Sequence, residues 1–112
     1  MKITTHVLDT SRGRPAAGVA VTLEQQHGGS WRQVGAGTTD AQGRAGALWT
    51  DQIPPPAGTY RLGFAVAEYF AALGVAGFYP RVEITFTVLD GAEHHHVPLL
   101  LSPYGFSTYR GS

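Results

Sequence analysis

The chain has 112 residues, of which 43% are hydrophobic and 14% are charged, and its eight basic and eight acidic residues leave no net charge. This length fits one domain, residues 1–112, with a real core, and the neutral balance gives no field that would attract nucleic acid or an anionic membrane. Because the chain has no cysteine, disulfides, thiolate chemistry and cysteine-based zinc sites are excluded.

The N-terminal segment 1–6 is polar and has no apolar signal core. No apolar stretch approaches the roughly 20 residues needed to span a bilayer. We therefore expect no membrane partner and a cytoplasmic location. The small number of charged groups also favours an oligomer that covers part of the uncharged surface.

Fifteen glycines and seven prolines divide the chain into short segments, which is typical of an all-β sandwich. Alternating or β-branched residues predict strands over 2–8, 19–24, 31–34, 59–67 and 81–88, followed by two strands from residue 94 onward. The segment 68–73 predicts one short helix that ends at a glycine. Together these elements predict a two-sheet antiparallel sandwich of seven or eight strands.

A turn and a histidine-rich strand carry the first candidate groups. Asp40 and Gly43 have the spacing of a type I turn, which places Arg44 at the start of a short strand. The triplet His94-His95-His96 puts its first and third members on one face of a strand, where they could ligate a metal with His6, His27 or a carboxylate as a third ligand.

The alternative interpretation is that His94 and His95 are merely solvated at the entry to the strand. His96 directly precedes the apolar run 97–101, so we expect it to face inward or into a cleft. His6 and Arg44 are weak candidates when each is taken alone, because such residues are more often structural or exposed.

Other catalytic patterns are missing. The sequence has no nucleophile elbow and no phosphate-cradling glycine loop. The acidic residues are scattered, so paired carboxylate chemistry is not expected. Catalysis would therefore depend on histidine, arginine and hydroxyl groups.

The sequence ends on an aromatic, a cation and two small residues, Tyr109-Arg110-Gly111-Ser112. Terminal segments are usually frayed and polar, whereas this one continues a strand-forming pattern over 106–110. We expect its groups to be placed at a specific site.

Motifs that run in order along the chain resemble the transthyretin-related 5-hydroxyisourate hydrolases. The matching segments are 5–9, 13–16, 39–40, 43–44, 78–80, 82–83, 96–103 and 107–112. The closing tetrapeptide 109–112 is the signature that separates these hydrolases from transthyretin itself. Many members of the family have a tyrosine where this chain has His95.

The resemblance implies a transthyretin-like sandwich of eight strands with one short helix. It also implies a homotetramer with active sites in the cleft between two dimers, and it implies no cofactor and no metal. The implied substrate is 5-hydroxyisourate, which is hydrolysed at a ring amide to 2-oxo-4-hydroxy-4-carboxy-5-ureidoimidazoline on the way to allantoin. The implied catalytic residues are His6, Arg44 and His96, and the implied substrate-binding residues are His6, Arg44, Tyr109, Arg110, Gly111 and Ser112.

The residue types suit that reaction. Two histidines would hold a water and carry its proton, and Arg44 would stabilise the developing oxyanion. Tyr109 and Arg110 would frame a flat ring that is rich in carbonyl groups. Two alternatives stay open: a carrier of the same fold that binds a small ligand without catalysis, and a metal-binding sandwich that uses His94 and His96.

Overall fold

The computed structural model describes residues 2–112, so the predicted start of the domain at Met1 lies outside the described residues. Within this range the chain forms nine strands and one helix. The elements in chain order are β1 (Ile3–Asp9), β2 (Arg14–Pro15), β3 (Ala20–His27), β4 (Ser30–Thr38), β5 (Arg44–Ala45), β6 (Gly58–Phe64), α1 (Val66–Ala72), β7 (Val82–Val88), β8 (His95–Ser102) and β9 (Gly105–Thr108).

Two sheets pack face to face. The first has the order β2-β1-β8-β9, with β5 also paired to β1, and the second has the order β4-β3-β6-β7. The predicted two-sheet sandwich is confirmed. All pairs are antiparallel except β1 with β8, which run parallel over the register from Ile3 opposite His95 to Asp9 opposite Leu101. A pattern of alternating residues does not encode the direction of the neighbouring strand.

The core lies between the sheets and follows the period-two alternation of the strands. Residues 3, 5, 7 and 9 of β1 are buried, whereas residues 4, 6 and 8 lie on the other face. The inward side chains of both sheets form one apolar cluster that includes Val7, Leu23, Leu62 and Leu99. The opposite face of the first sheet is therefore free to carry polar groups.

The helix starts slightly earlier than predicted. The sequence predicts a strand to residue 67 and a helix from residue 68, but β6 ends at Phe64 and α1 begins at Val66. The side chains of Tyr69 and Phe70 are buried, and the Tyr69 hydroxyl donates a hydrogen bond of 2.7 Å to the Asp9 carboxylate. These contacts fix the helix against β1.

The helix ends at Ala72, one residue before the predicted end at residue 73, and the predicted glycine follows it. Gly74 has a φ of +70°, and its N–H donates to the Ala71 carbonyl at 3.0 Å. A glycine adopts this left-handed conformation without the steric cost that a Cβ brings. No helix in residues 2–112 is long and apolar enough to cross a membrane.

Candidate active site

Three predicted site residues meet on the outer face of the first sheet. His6 of β1 lies directly opposite Arg44 of β5, and Thr4 of β1 lies directly opposite His96 of β8. Residues opposite each other on neighbouring strands share a face of the sheet. The structure therefore brings His6, Arg44 and His96 together, although their sequence positions are far apart.

A tight turn fixes the backbone of Arg44. The Asp40 carboxylate accepts hydrogen bonds from the backbone N–H groups of Gln42 at 2.8 Å and Arg44 at 3.0 Å. The hydrogen bond from the Arg44 N–H, together with that from Gln42 and the positive charge of Arg44, holds the pKa of Asp40 below its usual value. The Arg44 guanidinium itself has no hydrogen bond or ion pair with any side chain of residues 2–112, so its charge is available to a ligand.

Glycine is required inside this turn. Gly43 has a φ of +78°, and its carbonyl accepts a hydrogen bond of 2.7 Å from the Val7 N–H. A Cβ at this position would collide with the Val7 carbonyl oxygen and would lie 3.3 Å from Cδ2 of His6. The turn thus approaches β1 closely enough to hold His6 and Arg44 beside each other.

His96 is half-buried, and its imidazole is hydrogen-bonded to a neighbouring hydroxyl. Its Nδ1 lies 2.7 Å from Thr4 Oγ1, which lies 2.8 Å from Nε2 of His94. Burial lowers the pKa of His96 below its usual value, and the positive charges of His94, His6 and Arg44 lower it further. Its imidazole is therefore neutral at neutral pH and can accept a proton.

The C-terminal residues complete the wall around His96. The Gly111 N–H donates a hydrogen bond of 2.8 Å to the His96 carbonyl, which forms a short antiparallel bridge. A Cβ on Gly111 would lie 2.5 Å from Cδ2 of His96, closer than Cβ contacts occur in proteins. Glycine at this position allows the backbone to lie against the imidazole ring.

These groups surround a cavity of about 410 Å³, which we call the histidine cavity. Its lining includes Thr4, Asp40, Arg44, His94, His96 and Ser112. His6 is the next residue after Thr4 on the same face of β1, beside Arg44. The cavity is therefore bounded by the Arg44 cation, the Asp40 carboxylate, the imidazoles of His94 and His96, and hydroxyl groups.

Tyr109 and Arg110 lie on the other side of the bridge between His96 and Gly111. Both line a second cavity of about 330 Å³, the aromatic cavity, which also includes Ile84, Phe86, Val97 and His96. Arg110 forms an exposed ion pair of 3.1 Å with Glu93. Within one chain, the structure places Gly111 and Ser112 near the catalytic candidates and places Tyr109 and Arg110 beside them rather than among them.

The histidine triplet is only partly as expected. His94 and His96 share a face, as predicted, but the expectation that His95 is solvated is wrong, because it is 6% exposed. The alternation of β8 directs His95 inward, where its Nδ1 lies 3.1 Å from the Glu93 carbonyl oxygen. Between Lys2 and Ser112, no three His, Asp or Glu side chains come together in an arrangement that could hold a metal ion.

Sequence reasoning missed Thr4 as part of the site. Its position two residues before His6 on an alternating strand is a signal that both share a face. Its contact with His96 depends on the parallel register of β1 and β8, which the sequence does not reveal.

Comparison with known proteins gives matches along nearly the whole chain. A family model described as "HIUase/Transthyretin family" matches residues 3–111. The chain is 44% identical to a 5-hydroxyisourate hydrolase of Salmonella dublin over 98% of this chain and 80% of that protein.

Two solved structures are similar along nearly the whole chain. The 5-hydroxyisourate hydrolase of Klebsiella pneumoniae aligns with a TM-score of 0.85 and 38% identity, covering 100% of both chains. Sea bream transthyretin in complex with thyroxine aligns with a TM-score of 0.92 and 34% identity, covering 99% of this chain and 95% of that one. Fold similarity alone therefore does not separate a hydrolase from a carrier.

Proposed function

The chain belongs to the HIUase/Transthyretin family, and from this premise we propose that it hydrolyses 5-hydroxyisourate to 2-oxo-4-hydroxy-4-carboxy-5-ureidoimidazoline in the degradation of urate to allantoin. Curated relatives at 44% identity over nearly the full length of this chain bear the name of that hydrolase. The observation that supports the proposal most directly is the convergence of His6, Arg44 and His96 on one cavity-bearing face of a sheet.

The reaction needs an activated water, a stabiliser of negative charge and a proton for the leaving nitrogen. We propose that His96 and His6 hold the attacking water and carry its proton. A neutral imidazole is required for this step, and the burial and neighbouring cations that lower the pKa of His96 keep it neutral. General base catalysis of this type accounts for about 10²–10⁴-fold in rate.

Arg44 supplies the fixed positive charge. As the water attacks a ring carbonyl, the carbonyl oxygen becomes an oxyanion, and the guanidinium beside it stabilises that charge. The Asp40 turn holds the Arg44 backbone in place before substrate binds, so little reorganisation is needed during the reaction. The ring amide bond then breaks, and the leaving nitrogen takes a proton from the protonated histidine.

The C-terminal tetrapeptide is proposed to bind the substrate ring. Gly111 and Ser112 lie next to His96, and their backbone and hydroxyl groups are of a type that binds carbonyl oxygens. We assign Tyr109 and Arg110 to the outer part of the same site, which they would reach in the assembled protein. Six residues form the proposed substrate-binding set: His6, Arg44, Tyr109, Arg110, Gly111 and Ser112.

We propose a homotetramer with its sites where two dimers meet, in a cytoplasmic location. Large apolar side chains such as Phe78, Leu89 and Tyr104 are more than two-thirds exposed in the single chain, which supports burial by other subunits. Sedimentation equilibrium would give four times the mass of one chain. Fractionation of the source cells tests the location.

The carrier of a small ligand is the second candidate function, and the similarity to transthyretin in complex with thyroxine supports it. The unpaired guanidinium of Arg44 beside His96, whose pKa is lowered, favours hydrolysis instead, because a carrier needs no group that accepts a proton.

The direct test generates 5-hydroxyisourate in place from urate and urate oxidase and follows its decay. We expect micromolar protein to speed the decay well above the spontaneous rate. A decay rate equal to the spontaneous one would refute the hydrolase, and retention of the ligand without turnover would support the carrier.

A further inference from the structure

One hydroxyl group lies between two imidazoles in the histidine cavity. Thr4 Oγ1 is 2.7 Å from Nδ1 of His96 and 2.8 Å from Nε2 of His94. A hydroxyl has one proton to donate and two lone pairs to accept with. It cannot donate to both rings, so the protonation of one ring constrains that of the other.

If the Thr4 hydroxyl donates a hydrogen bond to one ring and accepts one from the other, two arrangements are possible. In the first, the Nδ1–H of His96 donates to Thr4, and the Thr4 hydroxyl donates to Nε2 of His94. Nε2 of His96 is then unprotonated and can act as a base. In the second arrangement the directions are reversed, and Nε2 of His96 carries the proton, so it cannot accept one from water.

We propose that Thr4 is a positioning residue that links His94 and His96 into one proton-accepting unit in the first arrangement. This inference rests on the proposed function. His94 is the outer member of the unit, because it lies at the exposed entry to β8, whereas His96 is half-buried.

The proton transfer balances along this chain of groups. As the water attacks, Nε2 of His96 takes its proton, and the Nδ1 proton of His96 passes to Thr4 Oγ1. The original hydroxyl proton of Thr4 passes to Nε2 of His94. His96 is left neutral with a proton on Nε2, while the positive charge has moved to the exposed ring of His94. When the leaving nitrogen takes the Nε2 proton of His96, the transfers run in reverse: Nε2 of His94 returns a proton to Thr4 Oγ1, and Thr4 returns one to Nδ1 of His96, so both rings end neutral.

The surrounding charges favour this displacement. His96 faces the guanidinium of Arg44 on β5 and the imidazoles of His6 on β1 and His94 just before β8, while Asp40 is the carboxylate in the cavity lining. A second positive charge held on the half-buried ring would be unfavourable next to Arg44. Transfer to His94 places that charge nearer to water.

The test combines nitrogen NMR with kinetics on full-length variants. The ¹⁵N chemical shifts of the imidazoles report which ring nitrogen carries the proton, and they do not depend on turnover. Thr4→Val keeps the side-chain shape but lacks the hydroxyl, and Thr4→Ser restores the hydroxyl. Thr10→Val is the matched control, because it removes a threonine hydroxyl that donates to the Leu101 carbonyl at 3.1 Å in the same sheet, outside the site.

We expect the wild type to carry its His96 proton on Nδ1, and Thr4→Val to lose this preference. The kcat of Thr4→Val should fall about 10- to 100-fold, a part of what general base catalysis supplies, with KM nearly unchanged. Thr4→Ser should recover most of that loss. His94→Phe changes an exposed residue and should lower kcat by a similar factor. It therefore tests the same link between the two rings if Thr4→Val does not fold.

Wild-type kcat in both Thr4→Val and His94→Phe, or a His96 proton that resides on Nε2, would overturn the proposal. A wild type that fails to hydrolyse 5-hydroxyisourate while showing the Nδ1 tautomer would refute the hydrolase and support the link between the two rings.

Discussion

The two cavities beside the His96–Gly111 bridge are similar in size but differ in what they offer a ligand. The histidine cavity, about 410 Å³, presents the Arg44 guanidinium and the imidazoles of His94 and His96. The aromatic cavity, about 330 Å³, is lined by alternating apolar residues and threonines of β7, by His95, His96 and Val97 of β8, and by Thr108, Tyr109 and Arg110. Volume therefore does not distinguish the two cavities, whereas the unpaired guanidinium of Arg44 lines the histidine cavity and not the aromatic cavity, and we propose the histidine cavity as the site.

Substitution of the shared histidine should have the largest effect. His96→Ala removes the proposed base, and we expect kcat to fall by about 10²–10⁴-fold with the fold retained. His27→Ala, in an exposed turn at the end of β3, is the matched control. A His96→Ala enzyme with near-normal kcat would exclude the histidine cavity as the catalytic centre.

Removal of the cation comes next. Arg44→Gln should lower kcat by about 10²–10³-fold, because the oxyanion loses its preorganised charge. Arg32→Gln is the control, since that guanidinium lies on the second sheet and donates to Gln25 at 2.9 Å. Equal losses of kcat in Arg44→Gln and Arg32→Gln would mean that the net charge of the protein, and not the position of Arg44, determines the rate.

The glycine that contacts the His96 ring should be sensitive to a single methyl group. Gly111→Ala places a Cβ 2.5 Å from His96 Cδ2, so the ring or the C-terminal segment must move. We expect kcat to fall about 10- to 100-fold, since misplacement by 1 Å can cost 10²-fold. Gly105→Ala is the control, because its nearest neighbour would lie at 3.6 Å. Equal kcat values for Gly111→Ala and Gly105→Ala would show that the close contact of Gly111 with the His96 ring does not affect catalysis.

The pH profile should reflect the lowered pKa of His96. The base works only when neutral, so kcat/KM falls as the pH drops through that pKa, by about tenfold per pH unit below it. Because burial and nearby cations lower the pKa, the midpoint of this acid limb should lie below the usual histidine value of about 6.5. A midpoint above that value would contradict the assignment of His96 as base.

Substitution of Arg110, which lines the aromatic cavity, should have the smallest effect on activity. Its ion pair with Glu93 is exposed at both ends, and such pairs contribute about 0–1 kcal/mol. We expect Arg110→Ala to raise KM by about 3- to 10-fold through a lost ligand contact. Glu93→Gln breaks the ion pair but keeps the guanidinium, so an equal rise in KM there would show that the ion pair is responsible.

Local rules predicted much of this site. Turn chemistry placed Arg44 after Asp40 and Gly43, and strand alternation put His94 and His96 on one face. The alternation also explains why His6 lies on the outer face, between the buried Thr5 and Val7.

The remaining features depend on long-range pairing. The contact of Thr4 with His96 and the approach of Gly111 to that ring arise from β8 lying parallel to β1 and from the chain returning past residue 96. Neither register follows from local periodicity. The position of Tyr109 and Arg110 beside the aromatic cavity likewise became visible only in the folded chain.

A crystal structure with a stable cyclic-amide analogue of 5-hydroxyisourate tests the central claim most directly. We predict that a ring carbonyl lies within hydrogen-bonding distance of the Arg44 guanidinium, with His96 Nε2 facing the carbon that water attacks. An analogue bound instead in the aromatic cavity, against Phe86 and away from Arg44, would contradict the account.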